Sequence, residues 1–280
     1  MSRTTPCDEA LRMQGVSKSF PGTLAVDSVD FDVRAGEVHA LVGENGAGKS
    51  TLMKLLAGSF SDYTGKVIIR GNEVTLHTPA QSKARGVGMI YQELSLARPI
   101  SIAENLLVGK LPKKGLFIDH AQVKKRAAEL LEQVGLSYLD PSMPVSDISQ
   151  CEAQLVEIAK TLGDSPRILV MDEPTSALSS EEVKRLFSII HRLKAQGIAI
   201  IYIPHHLQEV FEIADRITVM RDGKKRGTYE KQETSRAEIV DLMVGRSVSE
   251  FYTRRNPAIG AELLRVEHFS RWRFFHDINF

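Results

Sequence analysis

The sequence predicts an α/β fold with a mostly parallel central sheet. Apolar segments of strand length alternate along the chain with segments that have helical periodicity, which is the arrangement of α/β domains. Apolar segments at 38–42, 168–171 and 198–203 contain no charged residue, which predicts three buried strands. The first of these strands leads into a glycine-rich loop, and a helix is expected directly after it at 50–57.

Local end signals predict further elements. Residues 67–70, followed by Gly71-Asn72, have the pattern of a hairpin in a small β region. Asp119 is placed to cap a long amphipathic helix at 121–134, and Gly135 is placed to end it.

A second long helix is predicted between two of the buried strands. Residues 179–182 form a capping-box pattern at its start, and Gly197 marks its end. Helical spacing places five apolar residues on one face of this helix: Val183, Leu186, Phe187, Ile190 and Leu193.

Composition limits the class of protein. The chain has 280 residues, 42% hydrophobic and 25% charged, which suits a globular protein with one large domain or two smaller ones. A net charge of +1 argues against a dedicated nucleic-acid binder. Two cysteines, Cys7 and Cys151, favour a reducing compartment over a disulfide framework. The apolar runs are too short to span a bilayer, and residues 1–10 lack a signal-peptide core. We therefore expect a cytoplasmic chain that reaches a membrane through a partner.

The glycine-rich loop carries the strongest chemical signal. It fits the G-x-x-x-x-G-K-[ST] pattern between a strand and a helix, where glycines let backbone N–H groups converge on phosphate oxygens. Lys49 is expected to reach the β- and γ-phosphates, and the Ser50 hydroxyl to bind Mg²⁺. The loop consists of Gly43, Glu44, Asn45, Gly46, Ala47, Gly48, Lys49, Ser50 and Thr51.

Two carboxylates at the end of the strand predicted at 168–171 supply the second half of a nucleotide site. Asp172 is placed to hold the water shell of the metal, and Glu173 to polarise an attacking water. A strand ending in Asp-Glu is weak evidence alone, but together with the phosphate loop it predicts Mg-ATP hydrolysis.

The longer motifs resemble one family of nucleotide-binding proteins. Residues 169–178 read Leu-Val-Met-Asp-Glu-Pro-Thr-Ser-Ala-Leu, and they come after Gln92 and Ser149 and before His205. In this order and spacing, together with the phosphate loop, these residues resemble the ATP-binding cassette (ABC) family over residues 11–247.

The resemblance implies a P-loop NTPase cassette at residues 1–248. Such a cassette has a mostly parallel RecA-like core, an antiparallel β subdomain and a helical subdomain, here at about 95–160. ATP and Mg²⁺ are the implied cofactors.

The resemblance also assigns roles to single residues. Phe20 would stack on adenine, for which a π face suffices. Gln92 would contact Mg²⁺ and the attacking water and couple the site to a transmembrane partner. His205 would contact the γ-phosphate. Taken alone, Phe20 would more often be a core residue and His205 a structural histidine.

One motif departs from the family pattern. The signature is usually Leu-Ser-Gly-Gly-Gln, whereas residues 148–152 read Ile-Ser-Gln-Cys-Glu. Ser149 is kept, so its hydroxyl could still donate to a γ-phosphate, but Glu152 places a carboxylate where an amide is usual. ABC sites lie between the phosphate loop of one cassette and the signature of another, so unequal sites and slow turnover of the free chain are expected.

The C-terminal residues partly repeat the start of the chain. Leu264-Arg265 and Phe269-Ser270 follow the pattern of Leu11-Arg12 and Val16-Ser17. This repeat predicts a linker at 249–263 and the start of a second, truncated cassette at 264–280. An ordinary C-terminal tail is the alternative.

The phrases at 91–96 and 156–160, with the partial repeat, resemble the tandem ATPases of monosaccharide importers. The implied partners are transmembrane permease subunits, indirectly a periplasmic or extracellular sugar-binding protein, and a second cassette in cis or in a homodimer. The chain would lie on the inner face of the cell membrane. The alternatives are a soluble ABC ATPase of translation or DNA maintenance, and a truncated chain that binds ATP but does nothing alone.

Overall fold

The chain divides into two units, Met1–Arg246 and Ser247–Phe280, in a computed structural model that describes residues 9–245 and 262–280. Cys7 and all but the last two residues of the predicted linker lie outside the described residues. No helix within the described residues is long and apolar enough to cross a membrane.

A six-stranded sheet forms the centre of the larger unit. Its strands in spatial order are β12 (Lys224–Glu230), β11 (Arg216–Arg221), β3 (Val38–Val42), β10 (Ala199–Ile203), β9 (Ile168–Asp172) and β6 (Val87–Ile90). All pairs are parallel except β11–β12, so a mostly parallel sheet is confirmed. Every residue of β3, β9 and β10 is buried, which explains why these strands are continuous apolar runs in the sequence.

A four-stranded antiparallel sheet packs beside the main sheet. Its strands in spatial order are β2 (Thr23–Arg34), β1 (Glu9–Phe20), β4 (Thr64–Ile69) and β5 (Asn72–Val74). The hairpin β4–β5 turns at Arg70 and Gly71, which both have positive φ, as predicted from the Gly-Asn signal.

Eight α-helices lie within residues 9–245. They are α1 (Lys49–Leu56), α2 (Pro79–Ala84), α3 (Ile102–Leu106), α4 (His120–Gln133), α5 (Gln150–Leu162), α6 (Ser180–Ala195), α7 (Leu207–Ile213) and α8 (Arg236–Val244). Both predicted caps are present. The Asp119 side chain accepts from the Gln122 N–H, and Ser179 forms its capping box with Glu182.

Helices α3, α4 and α5 share one apolar cluster that continues into the main sheet. Leu106, Leu131 and Leu155 from these helices lie in the same cluster as Leu169 and Met171 of β9. Two short strands, β7 (Lys113–Lys114) and β8 (Phe117–Ile118), form a hairpin between α3 and α4. The predicted helical subdomain at about 95–160 contains these elements, and its boundaries stay a prediction.

The described part of the second unit is a small hairpin. Its strands are β13 (Phe269–Arg271) and β14 (Phe275–Ile278), which pair in antiparallel fashion. Phe269 and Phe275 bring their ring centroids within 5.0 Å, and Phe269 is 56% exposed. The hairpin therefore has little core of its own among residues 262–280.

Candidate nucleotide-binding site

The phosphate loop connects β3 to α1 and requires glycine at defined points. Gly46 and Gly48 have φ of 85° and 97°, a region that favours glycine. A Cβ at Gly48 would lie 2.4 Å from the carbonyl oxygen of Ala25. Position 48 therefore also has no room for a side chain. The loop ends at the N-terminus of α1, where free N–H groups and the helix dipole favour an anion.

Lys49 lies at the start of α1 and folds back over the loop. Its Nζ donates to the carbonyl oxygens of Gly43 at 2.8 Å and Glu44 at 3.0 Å. Burial lowers the pKa of Lys49, while the nearby carboxylates of Glu173 and Asp172 act in the opposite direction. The ammonium group is therefore held at the loop by weak carbonyl acceptors, which phosphate oxygens could replace.

Asp172 and Glu173 lie at the carboxyl end of β9, facing the phosphate loop. Asp172 is 8% exposed, and burial, then the neighbouring Glu173 charge, raise its pKa. The positive charges of Lys49 and Lys54 act in the opposite direction. Glu173 has a φ of 48°, and its N–H donates to the carbonyl oxygen of Ile203 at 3.0 Å. This unusual backbone conformation fixes the start of the loop after β9.

Gln92 and His205 both meet one oxygen of the Glu173 carboxylate. Gln92 Nε2 donates to Glu173 Oε2 at 3.2 Å, and His205 Nδ1 lies 3.5 Å from the same oxygen. Gln92 follows β6 and His205 follows β10, the two strands that flank β9. The parallel sheet therefore brings together three residues that are far apart in sequence.

Two adjoining cavities of about 410 and 400 Å³ open at these residues, a size that suits a small-molecule ligand. Asn45, Lys49, Gln92 and Glu173 line both of them. The other predicted residues that line one or the other are Gly43, Gly46, Ala47, Gly48, Ser50, Thr51 and His205.

Phe20 lies at the end of β1 and lines neither cavity. Its ring is 37% exposed and meets Phe60 edge-on, with centroids 5.3 Å apart. The Lys18 ammonium lies 4.7 Å from the Phe20 centroid and is paired with Asp62 at 2.6 Å. These contacts fix the ring while leaving part of it open to a stacking partner.

Ser149 also lies apart from the cavities, at the N-cap of α5. Its side chain accepts a hydrogen bond from the Glu152 N–H, and the Glu152 carboxylate accepts from the Ser149 N–H at 2.7 Å. This capping box leaves the hydrogen of the exposed Ser149 hydroxyl free to donate elsewhere.

Two of the residues that depart from the usual signature, Cys151 and Glu152, have partners within the chain. The Glu152 carboxylate also accepts from the Tyr138 hydroxyl at 2.8 Å. Burial acts to raise the pKa of Glu152, but its hydrogen bonds with Ser149 and Tyr138 outweigh burial and lower it. Cys151 is 5% exposed in the apolar cluster, and burial, then Glu182, raise the pKa of its thiol to about 11. The Glu152 side chain thus caps α5, and the Cys151 side chain packs in the apolar cluster.

Several residues around the site were not predicted from the sequence. Pro204, Leu207 and Met243 line the larger cavity, and Ala25 lines the smaller one. Met243 comes from α8, late in the chain, and no local pattern marks it as a site residue. Only the packing of α8 against β11 places it there.

The geometry of this site indicates the class of protein. A glycine-rich loop between a buried strand and a helix, facing a neighbouring strand that ends in two carboxylates, is the arrangement of P-loop nucleotide-binding proteins. Residues 26–176 match the family model described as ABC transporter, which is more than half of the chain. The chain therefore belongs to the ABC transporter family, and its larger unit is a nucleotide-binding cassette.

Individual relatives agree with this family. The chain is 46% identical over 273 residues to "Ribose import ATP-binding protein RbsA 1" of Streptomyces avermitilis, covering 98% of this chain and 52% of the relative. It is 44% identical over 276 residues to "Putative ribose/galactose/methyl galactoside import ATP-binding protein 3" of Agrobacterium fabrum, covering 99% of this chain and 55% of the relative. The chain thus spans about half the length of these curated relatives.

Two solved structures that resemble the chain are ATP-binding cassettes of ABC transporters. The ADP conformation of MJ1267, an ATP-binding cassette of an ABC transporter, has a TM-score of 0.74 and 28% identity. The match covers 85% of this chain and 99% of that one. A nucleotide-free ATP-binding cassette from an ABC transporter matches with the same TM-score at 27% identity, over 87% and 98% of the two chains.

Proposed function

We propose that the chain is the ATP-binding and ATP-hydrolysing subunit of an ABC importer of monosaccharides. The observation that carries this proposal is the position of the Glu173 carboxylate, which Gln92 and His205 contact at the edge of the phosphate loop. The sugar assignment rests on the relatives, which are named for import of ribose and of ribose, galactose or methyl galactoside.

The phosphate loop would bind ATP, and the side chains of Ser50, Asp172 and Gln92 would hold Mg²⁺. Asp172 fits this role because it is a buried carboxylate beside a second negative charge. Gln92 would contribute its amide oxygen, since its Nε2 faces Glu173. When bound, Mg²⁺ neutralises phosphate charge. The phosphates would contact Gly43, Asn45, Gly46, Ala47, Gly48, Lys49, Ser50 and Thr51.

Glu173 would act as the general base that polarises the attacking water. His205 would contact the γ-phosphate, and Gln92 would orient the water, since both side chains lie at the same carboxylate oxygen of Glu173. Phe20 would stack on adenine with the exposed part of its ring. Ser149 would donate its hydroxyl to a nucleotide held by another cassette, since it caps α5 and lines neither of the cavities that Lys49 lines.

The second unit supports a tandem arrangement through details of its hairpin. In the first cassette, the Ser28 N–H donates to Ser17 Oγ at 2.8 Å, and Ser28 has a φ of 48°. In the second unit, the Asp277 N–H donates to Ser270 Oγ at 2.8 Å, and Asp277 has a φ of 54°.

A second pair of contacts repeats at matching positions. The Gly15 N–H donates to Asp30 Oδ1 at 2.7 Å, and the His268 N–H donates to Asn279 Oδ1 at 2.8 Å. Gly15 and His268 both have positive φ, at 55° and 52°. Such agreement in bonds and backbone favours residues 264–280 as the first hairpin of a second cassette over an ordinary tail.

A groove beside Gln92 would receive the transmembrane permease. It has a volume of about 210 Å³ and is lined by Tyr91, Ser95, Val108 and Glu157, among others. Tyr91 and Val108 are 37% and 61% exposed, so the groove offers apolar surface next to Gln92. Contact there would place the chain at the inner face of the membrane, with a sugar-binding protein acting from the other side through the permease.

Mg-ATP hydrolysis by the purified chain, compared with Glu173→Gln, tests the enzymatic part of the proposal. We expect tight nucleotide binding in both proteins and slow turnover in the wild type, because the free chain can pair only with its own signature. Glu173→Gln should remove about 100-fold or more of the hydrolysis rate while binding is kept. Turnover that is insensitive to this substitution would contradict the site.

Uptake of labelled ribose, galactose and xylose by cells that lack the gene tests the transport part. Loss of uptake of one of these sugars, restored by the wild-type gene and not by the Glu173→Gln gene, is the expected result. Unchanged uptake of all three would contradict the monosaccharide assignment.

A further inference from the structure

Glu209 is a buried carboxylate that the roles above do not use. It lies on α7 and is 6% exposed. Its Oε1 accepts a hydrogen bond from Thr175 Oγ1 at 2.8 Å, and its Oε2 accepts one from the Tyr202 hydroxyl at 2.7 Å. Because a buried carboxylate is costly without donors, both hydroxyls are tightly tied to it.

Thr175, Tyr202 and Glu209 form a hydrogen-bonded cluster. Its members belong to the segment that carries Glu173 and to the segments around His205. Thr175 lies two residues after Glu173, in the loop that follows β9. Tyr202 lies in β10, three residues before His205, and Glu209 lies four residues after His205. One carboxylate therefore joins the loop that carries Glu173 to the strand and helix that carry His205.

We propose that Glu209 is a positioning residue that sets the geometry between Glu173 and His205 for hydrolysis. This inference rests on the proposed ATPase function. Glu209 lines neither cavity, so its effect passes through Thr175 and Tyr202. One backbone hydrogen bond also joins the two segments, from the Glu173 N–H to the Ile203 carbonyl oxygen at 3.0 Å, and Glu173 has a left-handed φ.

The direction of the hydrogen bonds is fixed by the chemistry of the cluster. Burial, and then the Glu209 carboxylate, raise the pKa of Tyr202, so its hydroxyl stays protonated and donates. Thr175 also donates to Glu209, because a carboxylate can only accept. Truncation of Glu209 would leave two buried hydroxyls without their acceptor and free the loop to shift.

The test compares Glu209→Ala and Glu209→Gln with the wild type in single-turnover ATP hydrolysis and in equilibrium nucleotide binding. Glu209→Ala should lower the hydrolysis rate about 10-fold or more, because small misplacements of a catalytic group have large effects. The Kd for ATP should change less than about twofold, since the phosphate loop is untouched. Glu209→Gln should restore the rate to within about threefold of wild type, because an amide can still pair with both hydroxyls.

The matched control is Glu212→Gln, an exposed carboxylate on the same helix, which should leave rate and affinity unchanged. Glu173→Gln belongs in the same series. If Glu173→Gln does not lower turnover, the proposed site fails; if it does and Glu209→Ala does not, only the positioning role fails.

Two further variants each remove one hydrogen bond of the cluster. They test the proposal if Glu209→Ala does not fold. Thr175→Val removes the tie to the Glu173 loop, and Tyr202→Phe removes the tie to β10. Each should lower the hydrolysis rate with the Kd for ATP preserved. A fall in melting temperature with an unchanged rate per folded molecule would overturn the proposal, because a purely structural cluster predicts that result.

Discussion

The phosphate side of the site, which is the phosphate loop together with Asp172 and Glu173, differs from the signature at the start of α5 in how its polar groups are satisfied. On the phosphate side, Lys49 rests on carbonyl oxygens of its own loop, and Asp172 is buried beside Glu173. At the signature, Ser149 and Glu152 satisfy each other in a capping box. The first region holds charges that a nucleotide and a metal would balance, whereas the second is complete without any ligand. A cassette can therefore keep its own phosphate site intact while its signature changes.

Removal of Lys49 gives the largest effect expected from this difference. Lys49→Ala should weaken ATP binding by about 100-fold or more, because it removes the point charge that the phosphates contact. Lys54→Ala, at an exposed position in the same helix, should bind ATP almost as the wild type does. Equilibrium binding of a fluorescent ATP analogue measures both. Equal losses in the two variants would mean that general positive charge, and not the position of Lys49, attracts the nucleotide.

Phe20 lies in neither region and tests whether the adenine base is held by stacking. Phe20→Ala should raise the Kd for ATP about 10-fold, in line with about 1–3 kcal/mol for base–aromatic stacking. Phe20→Tyr should keep the affinity because it keeps the ring. Leu24→Ala is the control, since Leu24 is an exposed apolar side chain on the same hairpin. An unchanged Kd in Phe20→Ala would show that the ring belongs only to the contact with Phe60.

Ser149 should matter for the fold of α5 and not for the nucleotide bound to its own phosphate loop. Ser149→Ala should lower the free energy of unfolding by about 1 kcal/mol, the typical cost of losing an N-cap side chain. Its Kd for ATP should stay at the wild-type value. Urea denaturation and nucleotide binding measure these quantities, with the exposed neighbour Gln150→Ala as control. Weaker ATP binding by a monomeric Ser149→Ala chain would mean that the two regions lie on one site.

The smallest effect is a pH dependence at the signature. The pKa of Glu152 is lower in the folded chain than the ordinary value of 4.5, so the carboxylate stabilises the fold above pH 4.5. That contribution is lost as the pH falls below 4.5 and through the folded-state pKa. Glu152→Gln should therefore show a shallower loss of stability than the wild type between pH 5.5 and pH 3.5, about one pH unit on either side of that value. Identical pH profiles from urea denaturation would contradict the capping role of the carboxylate.

Most of the phosphate side of the site could be predicted from the sequence, because the conformational requirements of this region are local. A loop that needs φ near 85° and 97° accepts little besides glycine, so Gly46 and Gly48 are visible in the sequence itself. The strand before the loop and the strand before Asp172 are buried on both faces, so they read as unbroken apolar runs. The role of Glu152 was harder to predict, because a carboxylate can face a nucleotide or cap its own helix with the same sequence.

What the sequence determined by itself is the set of elements and the chemistry of the phosphate loop, since these follow from backbone conformation and burial along short segments. Only the tertiary structure decided which distant residues meet. The order of strands β6, β9 and β10 places Gln92 and His205 on one oxygen of Glu173, and the packing of α7 buries Glu209 against Thr175. Neither contact can be predicted from a periodic pattern in the sequence, because each depends on strands that become neighbours only when the sheet forms.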